Sequence, residues 1–172
     1  MTRKQFAVIA SRLRQELRNT RLLLDELARQ GLLPGTRRSL VTLDPRDSFR
    51  LRAIGSILHD FYVAAENIFE TVARNLDDLS PTGPEWHREL LRQMTLSVPG
   101  IRPALLTTET ADRLDEFRAF RQVFRNVYGF NLSSQRLQEL LRALPDTVSR
   151  LEEEVNEFIA DMQEILPEEP LR

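Results

Sequence analysis

The 172-residue sequence contains no cysteine. That removes disulfides, thiolate nucleophiles and thiolate metal ligands together, and agrees with a reducing compartment. Lysine is nearly absent: Lys4 is the only one, and the rest of the 24 basic residues are arginine. Histidine occurs only at His59 and His87. Neither has a carboxylate three residues before it, so the Glu-x-x-His pairs of carboxylate-bridged metal bundles are missing. There is no HExxH, no phosphate-binding glycine loop and no GxSxG, and neither a metal nor a cofactor is expected. No apolar run approaches the roughly 20 residues that span a bilayer, and the apolar part of MTRKQFAVIASRLRQ is too short for a signal peptide. A cytoplasmic protein with no membrane segment is the expectation.

What is present suffices for one domain. Hydrophobic residues make up 41% and charged residues 29% of the chain, close to globular averages. A chain of this length usually keeps a single core, so residues 1–172 are expected to form one domain, with 166–172 as a frayed tail. The net charge of −2 excludes a globally basic nucleic-acid binder and leaves only a local basic footprint. The arginine bias agrees with a GC-rich genome, with high growth temperature, or with planar recognition of phosphate, which arginine performs better than lysine.

Helical periodicity runs through the chain. Phe6, Ile9, Leu13, Leu17, Leu24 and Leu27 mark a first helix over 4–30 that stops at Gly31. Residues 32–46 form a connection whose LLP and LVTL pieces lie against the bundle. From Asp47 the positions Ile54, Ile57, Leu58, Phe61, Ala65, Ile68, Val72 and Leu76 predict a central helix of about eight turns. In SPTGPEW, Ser80 or Thr82 is placed as a cap and Pro84 in a first turn, with a third helix to about Leu96. A fourth runs from near Thr110, capped by Thr108 or Thr110, to Tyr128, where Gly129 ends it. A fifth starts near Ser133 or Ser134, meets Pro145 and continues through Phe158 and Ile165. The expected fold is an all-α, up-and-down antiparallel bundle of about five helices.

RQVFRNVYGF, residues 121–130, is the stretch that raises a functional question. At about 100° per residue, Phe117, Phe120, Phe124 and Val127 share one arc, and Arg118, Arg121, Arg125 and Tyr128 share the next. Arg118 has Asp115 three residues back. Arg121 and Arg125 have no carboxylate on their own helix, and like charges at i, i+4 cost a few tenths of a kcal/mol. Two readings stay open. In one, the cations suit a helix C-terminus and a carboxylate of the second helix completes the pairing, Glu66 being nearest by face. In the other, the guanidiniums hold a phosphate bidentately. His59 lies off its helix's apolar stripe and His87 follows Trp86 in a first turn, so both are read as surface or rim residues. The EEEVNE run (152–157) is read as a solvated face.

Arg121, Asn126 and Tyr128 together resemble the Arg-x4-His-x-Tyr motif of HepT toxins, members of the HEPN superfamily of small helical ribonucleases. LHDFYVAAENIFE, PTGPEWHRELL, IRPALL and LDEFRAFRQVFRNVYGFNL also resemble a HepT-like family, and the resemblance covers most of residues 50–145. It implies a HEPN-like bundle forming a homodimer, with two motif helices meeting in one cleft where RNA is cut without metal by its own ribose 2′-hydroxyl. Arg118, Arg121 and Arg125 would face phosphate, Arg121 stabilising the phosphorane, with residue 126 in proton transfer. The implied partner is a minimal nucleotidyltransferase antitoxin that adds AMP to the motif tyrosine, here Tyr128. Asn126 departs from the motif: an amide does not titrate near pH 7, so ribonuclease activity is expected to be weak, relocated or absent. Gln122, also an amide, does not restore it, and His59 could do so only if the second helix brought it to the cleft. The alternative is a catalytically inactive helical partner or substrate-binding protein of the nucleotidyltransferase, or a scaffold whose arginines are satisfied by Glu66 or other acids.

Overall fold

The computed structural model describes residues 1–34, 42–126, 128 and 131–168. Among them are five α-helices and no β-strand: α1 (Arg3–Arg29), α2 (Ser48–Val72), α3 (Trp86–Met94), α4 (Thr108–Phe124) and α5 (Ser134–Ile165). α1 begins at a capping box, in which the Gln5 amide N–H donates to Thr2 Oγ1 and the Gln5 side chain accepts from the Thr2 N–H. It ends before Gly31, whose φ of +66° is reached without penalty only by a residue lacking Cβ. Leu32 and Leu43 are buried, so both ends of the first connection lie against the bundle. Leu40 and Val41, in the remainder of LVTL, fall outside the described residues.

α2 is the scaffold and touches every other helix. Leu51, Ile54, Leu58, Phe61, Ala65, Ile68, Phe69 and Val72 form its buried stripe. Each large apolar side chain so buried contributes about 1.5–3 kcal/mol. The helix runs on into a π-helical turn, Ala73–Asp77. That turn carries Asp77 to Arg102, whose side chain is fully buried. Arg102 Nε and Nη2 donate to the two Asp77 oxygens at 2.6 and 2.8 Å, and the remaining N–H groups go to the carbonyls of Leu96, Pro103 and Gln93. One guanidinium thereby ties the loop after α3 to the end of α2.

Several boundaries differ from the sequence expectation, each for a local reason. α3 stops at Met94 rather than near Leu96, because Arg102 binds the Leu96 carbonyl and Val98 bridges to Arg102. Its N-cap is Glu85, with no side-chain cap bond, so neither Ser80 nor Thr82 caps it. α4 is capped by Thr107, not by Thr108 or Thr110. Glu154 of the EEEVNE run accepts from the Thr107 N–H at 3.0 Å and from the Thr107 and Thr110 hydroxyls at 2.8 and 2.6 Å. That carboxylate is thus not merely solvated: it secures a helix N-terminus, where the dipole favours negative charge. α5 passes through Pro145 and is capped by Ser133. In the expected tail, Leu166 and Pro167 accept from Arg3 Nε and the Arg3 N–H, and Glu168 pairs with Arg3 at 2.6 Å. Residues 169–172 lie outside the described set. No described helix is long and apolar enough to cross a membrane.

Candidate functional site

α4 is fixed by its aromatic face. Phe117 is fully buried and meets Phe61 of α2 edge-on at 5.0 Å, and Phe120 stacks on Phe124 at 5.7 Å. At the far end Phe124 lies against Gly55, so closely that a Cβ there would stand 2.6 Å from the ring. Gly55 of α2 thus leaves room for the Phe124 ring of α4, and the adjacent face of α4 carries the arginines.

That face carries the three arginines in three different states. Arg118 is nearly buried and committed to Asp115, with Nε 2.5 Å and Nη2 3.3 Å from its oxygens. Arg121 is 14% exposed, its Nη2 stands 3.5 Å from Glu66 Oε1, and its buried Nε has no partner. Arg125 caps the C-terminus of α4, is exposed, and makes no ion pair among the described residues. The pairing of Arg121 with Glu66 thus exists but is loose and single, whereas Arg125 has no such pairing.

Glu66 is engaged more tightly elsewhere. Its Oε2 lies 2.6 Å from Nδ1 of His87, from the first turn of α3, and the carboxylate is only 6% exposed. The His87 ring stacks with Trp86, centroids 3.6 Å apart. Arg121 Nη1 stands 3.4 Å from both ring nitrogens. α2, α3 and α4 therefore contribute one residue each to a carboxylate, imidazole and guanidinium cluster. It opens on a cleft of about 310 Å³ bordered by Trp86, His87, Arg118, Arg121, Arg125 and Asn126.

Other expected site residues fall differently. α4 ends at Phe124, so Tyr128 is not on the arginine strip; it lies past the helix, 73% exposed, and its carbonyl accepts from the Asn131 N–H at 2.9 Å. Val127, Gly129 and Phe130 lie outside the described residues. Asn126 donates its side-chain amide to the Gln122 carbonyl at 2.8 Å, closing the last turn of α4. Gln122 itself is exposed at the cleft edge.

His59 does not line the cleft. It packs on Phe124, centroids 5.6 Å apart, with Nδ1 buried and unpartnered. Burial first, and then the charge of Arg121, lower its pKa. The Tyr62 hydroxyl is also buried without a partner, and burial pushes its pKa far up. No group of three or more potential metal ligands occurs among the described residues.

His87, read from the sequence as a surface or rim residue, is half-buried at the cleft, and the sequence carries a signal for that. His87, Leu90, Leu91 and Met94 stand at i, i+3, i+4 and i+7, and the last three are buried. The histidine thus occupies the inward stripe of α3, not an outer face.

The five-helix, all-α arrangement is that of a HEPN-like helical bundle. The family model described as HepT-like protein matches residues 53–162, and the chain belongs to that family. Neither a curated protein nor a solved structure matches it.

Proposed function

We propose that this chain is the HepT-like component of a HEPN and minimal nucleotidyltransferase toxin–antitoxin pair, and that it binds RNA through the phosphates that enter the cleft between α3 and α4. The observation that carries this reading is the state of Arg121 and Arg125: one loosely paired guanidinium with a buried, unpartnered Nε, and beside it one exposed guanidinium without an ion pair. Both are presented by a helix locked through Gly55 and Phe124. A phosphodiester supplies the oxygens that the exposed Arg125 guanidinium lacks, in a geometry that guanidinium matches bidentately.

A homodimer agrees with the same surface. Phe49 near the start of α2 and Val123 near the end of α4 are 85% and 56% exposed, at the ends that the Gly55–Phe124 contact brings together. A second copy covering them would place two arginine strips near each other.

Gel shift with total tRNA tests the binding reading. The double variant Arg121→Ala, Arg125→Ala loses the shift that the unaltered protein gives; equal shifts contradict it. The exposure of Tyr128 favours a second role as an acceptor of AMP from the nucleotidyltransferase. Intact mass after incubation with that enzyme and ATP reads it: one added AMP, absent in Tyr128→Phe, is expected, and AMP on another residue contradicts it.

A further inference from the structure

We infer that His87, rather than the residue at position 126, is the proton-transferring side chain of this cleft, and that Glu66 is the carboxylate that positions it. The inference rests on the reading of the cleft as an RNA site. Asn126 is excluded both by its chemistry and by its place, since its amide is used in closing α4. His59 is excluded because its ring is packed on Phe124 away from the cleft.

The geometry of His87 sets its tautomer. An ionised carboxylate only accepts hydrogen bonds, so the 2.6 Å contact with Glu66 puts the proton of the neutral ring on Nδ1. Nε2 then carries the lone pair. Arg121 does not consume it. Nη1 is 3.4 Å from both Nδ1 and Nε2, and an in-plane approach at equal distances would drive it into Cε1, so it sits over the ring face. The Nε2 lone pair, which lies in the ring plane, is left for a group in the cleft. Trp86, stacked on the ring, limits its rotation. A carboxylate that fixes an imidazole tautomer beside a cationic donor for developing negative charge is an arrangement suited to general base catalysis.

The step balances without a metal or a co-reactant. Neutral His87 takes the proton of a ribose 2′-hydroxyl through Nε2 as that oxygen attacks the adjacent phosphorus. The O2′–P bond forms and the P–O5′ bond breaks, with Arg121 and Arg125 bearing on the phosphorane oxygens. The departing 5′-oxygen takes a proton from solvent, and the imidazolium returns its own to solvent. The products are a 2′,3′-cyclic phosphate and a 5′-hydroxyl.

The test uses the full chain with a mixed-sequence oligoribonucleotide and its 2′-deoxy counterpart, following binding by anisotropy and product ends by mass. The unaltered protein is expected to yield cyclic-phosphate ends from RNA and none from the deoxy strand. His87→Gln keeps RNA binding within about twofold while cleavage falls by about 10²–10⁴-fold, the usual contribution of a general base. Added imidazole restores cleavage to His87→Ala, which a purely structural role would not allow. Arg113→Ala, whose guanidinium pairs with Asp146 outside the cleft, cleaves within a few-fold of the unaltered protein. Glu66→Gln lowers cleavage and shifts its pH profile, as loss of a positioning carboxylate requires. Cleavage by His87→Gln at the unaltered rate, or no rescue of His87→Ala by imidazole, overturns the inference. RNA bound but never cut overturns it and leaves the binding reading standing; RNA not bound overturns both.

Discussion

Glu66 of α2 and His87 of α3 meet through a 2.6 Å contact between Oε2 and Nδ1, 21 residues apart in sequence, and Arg121 of α4 leans on both. The carboxylate is the only anion holding the Arg121 guanidinium among the described residues. Removing it leaves a largely buried cation without compensation, which typically costs about 3–5 kcal/mol. Glu66→Ala should therefore lower the urea-unfolding free energy by about 3 kcal/mol, and Glu66→Gln, which retains an acceptor oxygen, by clearly less. Equal stability of Glu66→Ala and the unaltered chain would remove the cluster as a structural element.

Arg102 offers a comparison in which every guanidinium N–H has a partner. Lysine brings three donors from one nitrogen and cannot reach both Asp77 oxygens and three carbonyls. Arg102→Lys should cost about 3 kcal/mol or more in urea unfolding, while the exposed Arg46→Lys, paired only with Asp44, should change stability by less than about 0.5 kcal/mol.

Gly55→Ala opposes two effects. Alanine is favoured over glycine in a helix by about 1 kcal/mol, but its Cβ would stand 2.6 Å from the Phe124 ring. Overpacking of this kind costs about 1–3 kcal/mol, and the ring is held from two further sides by Phe120 and His59. The variant should be less stable than the parent, and adding Phe124→Leu should recover part of the loss. A gain in melting temperature from Gly55→Ala alone would contradict the close approach.

His59 gives the fold a pH dependence of known sign. Its folded pKa is lowered by burial and by Arg121, with Asp60 and Glu66 opposing and Arg125 adding to the shift. As pH falls through the ordinary imidazole value of about 6.5, the unfolded chain binds the proton first, so stability declines. The contribution is fully present above that value and is lost on acidification. Urea midpoints at pH 7.5 and 5.5 measure it: the drop should be smaller for His59→Gln than for the unaltered chain, and an identical drop would contradict the burial of this ring.

Much of the bundle was legible because core helices announce themselves by period. The stripe of α2 and the Phe117, Phe120 and Phe124 face of α4 follow directly from it. What the period could not supply were contacts between helices. Glu154 capping α4 and Asp77 reaching Arg102 depend on which elements become neighbours, and nothing local to either residue encodes that. The end of α4 differs for a related reason: the arc predicts a helix through Tyr128, whereas α4 ends at Phe124 and the Asn126 amide donates to the Gln122 carbonyl. Face alone places Arg121 beside Glu66, whereas the first-turn position of His87 points to the rim and its register with Leu90, Leu91 and Met94 points inward.

The salt dependence of RNA affinity tests the central claim most directly, because it counts phosphate contacts. For single strands the slope of log K against log salt changes by about 0.7 for each phosphate neutralised. Arg125→Ala should weaken binding of a single-stranded oligoribonucleotide and make the slope shallower by about 0.7, while Arg113→Ala, whose guanidinium pairs with Asp146 at 2.8 Å, should leave both unchanged. An unaltered slope and affinity in Arg125→Ala would contradict the account of the cleft as the place where RNA phosphate is held.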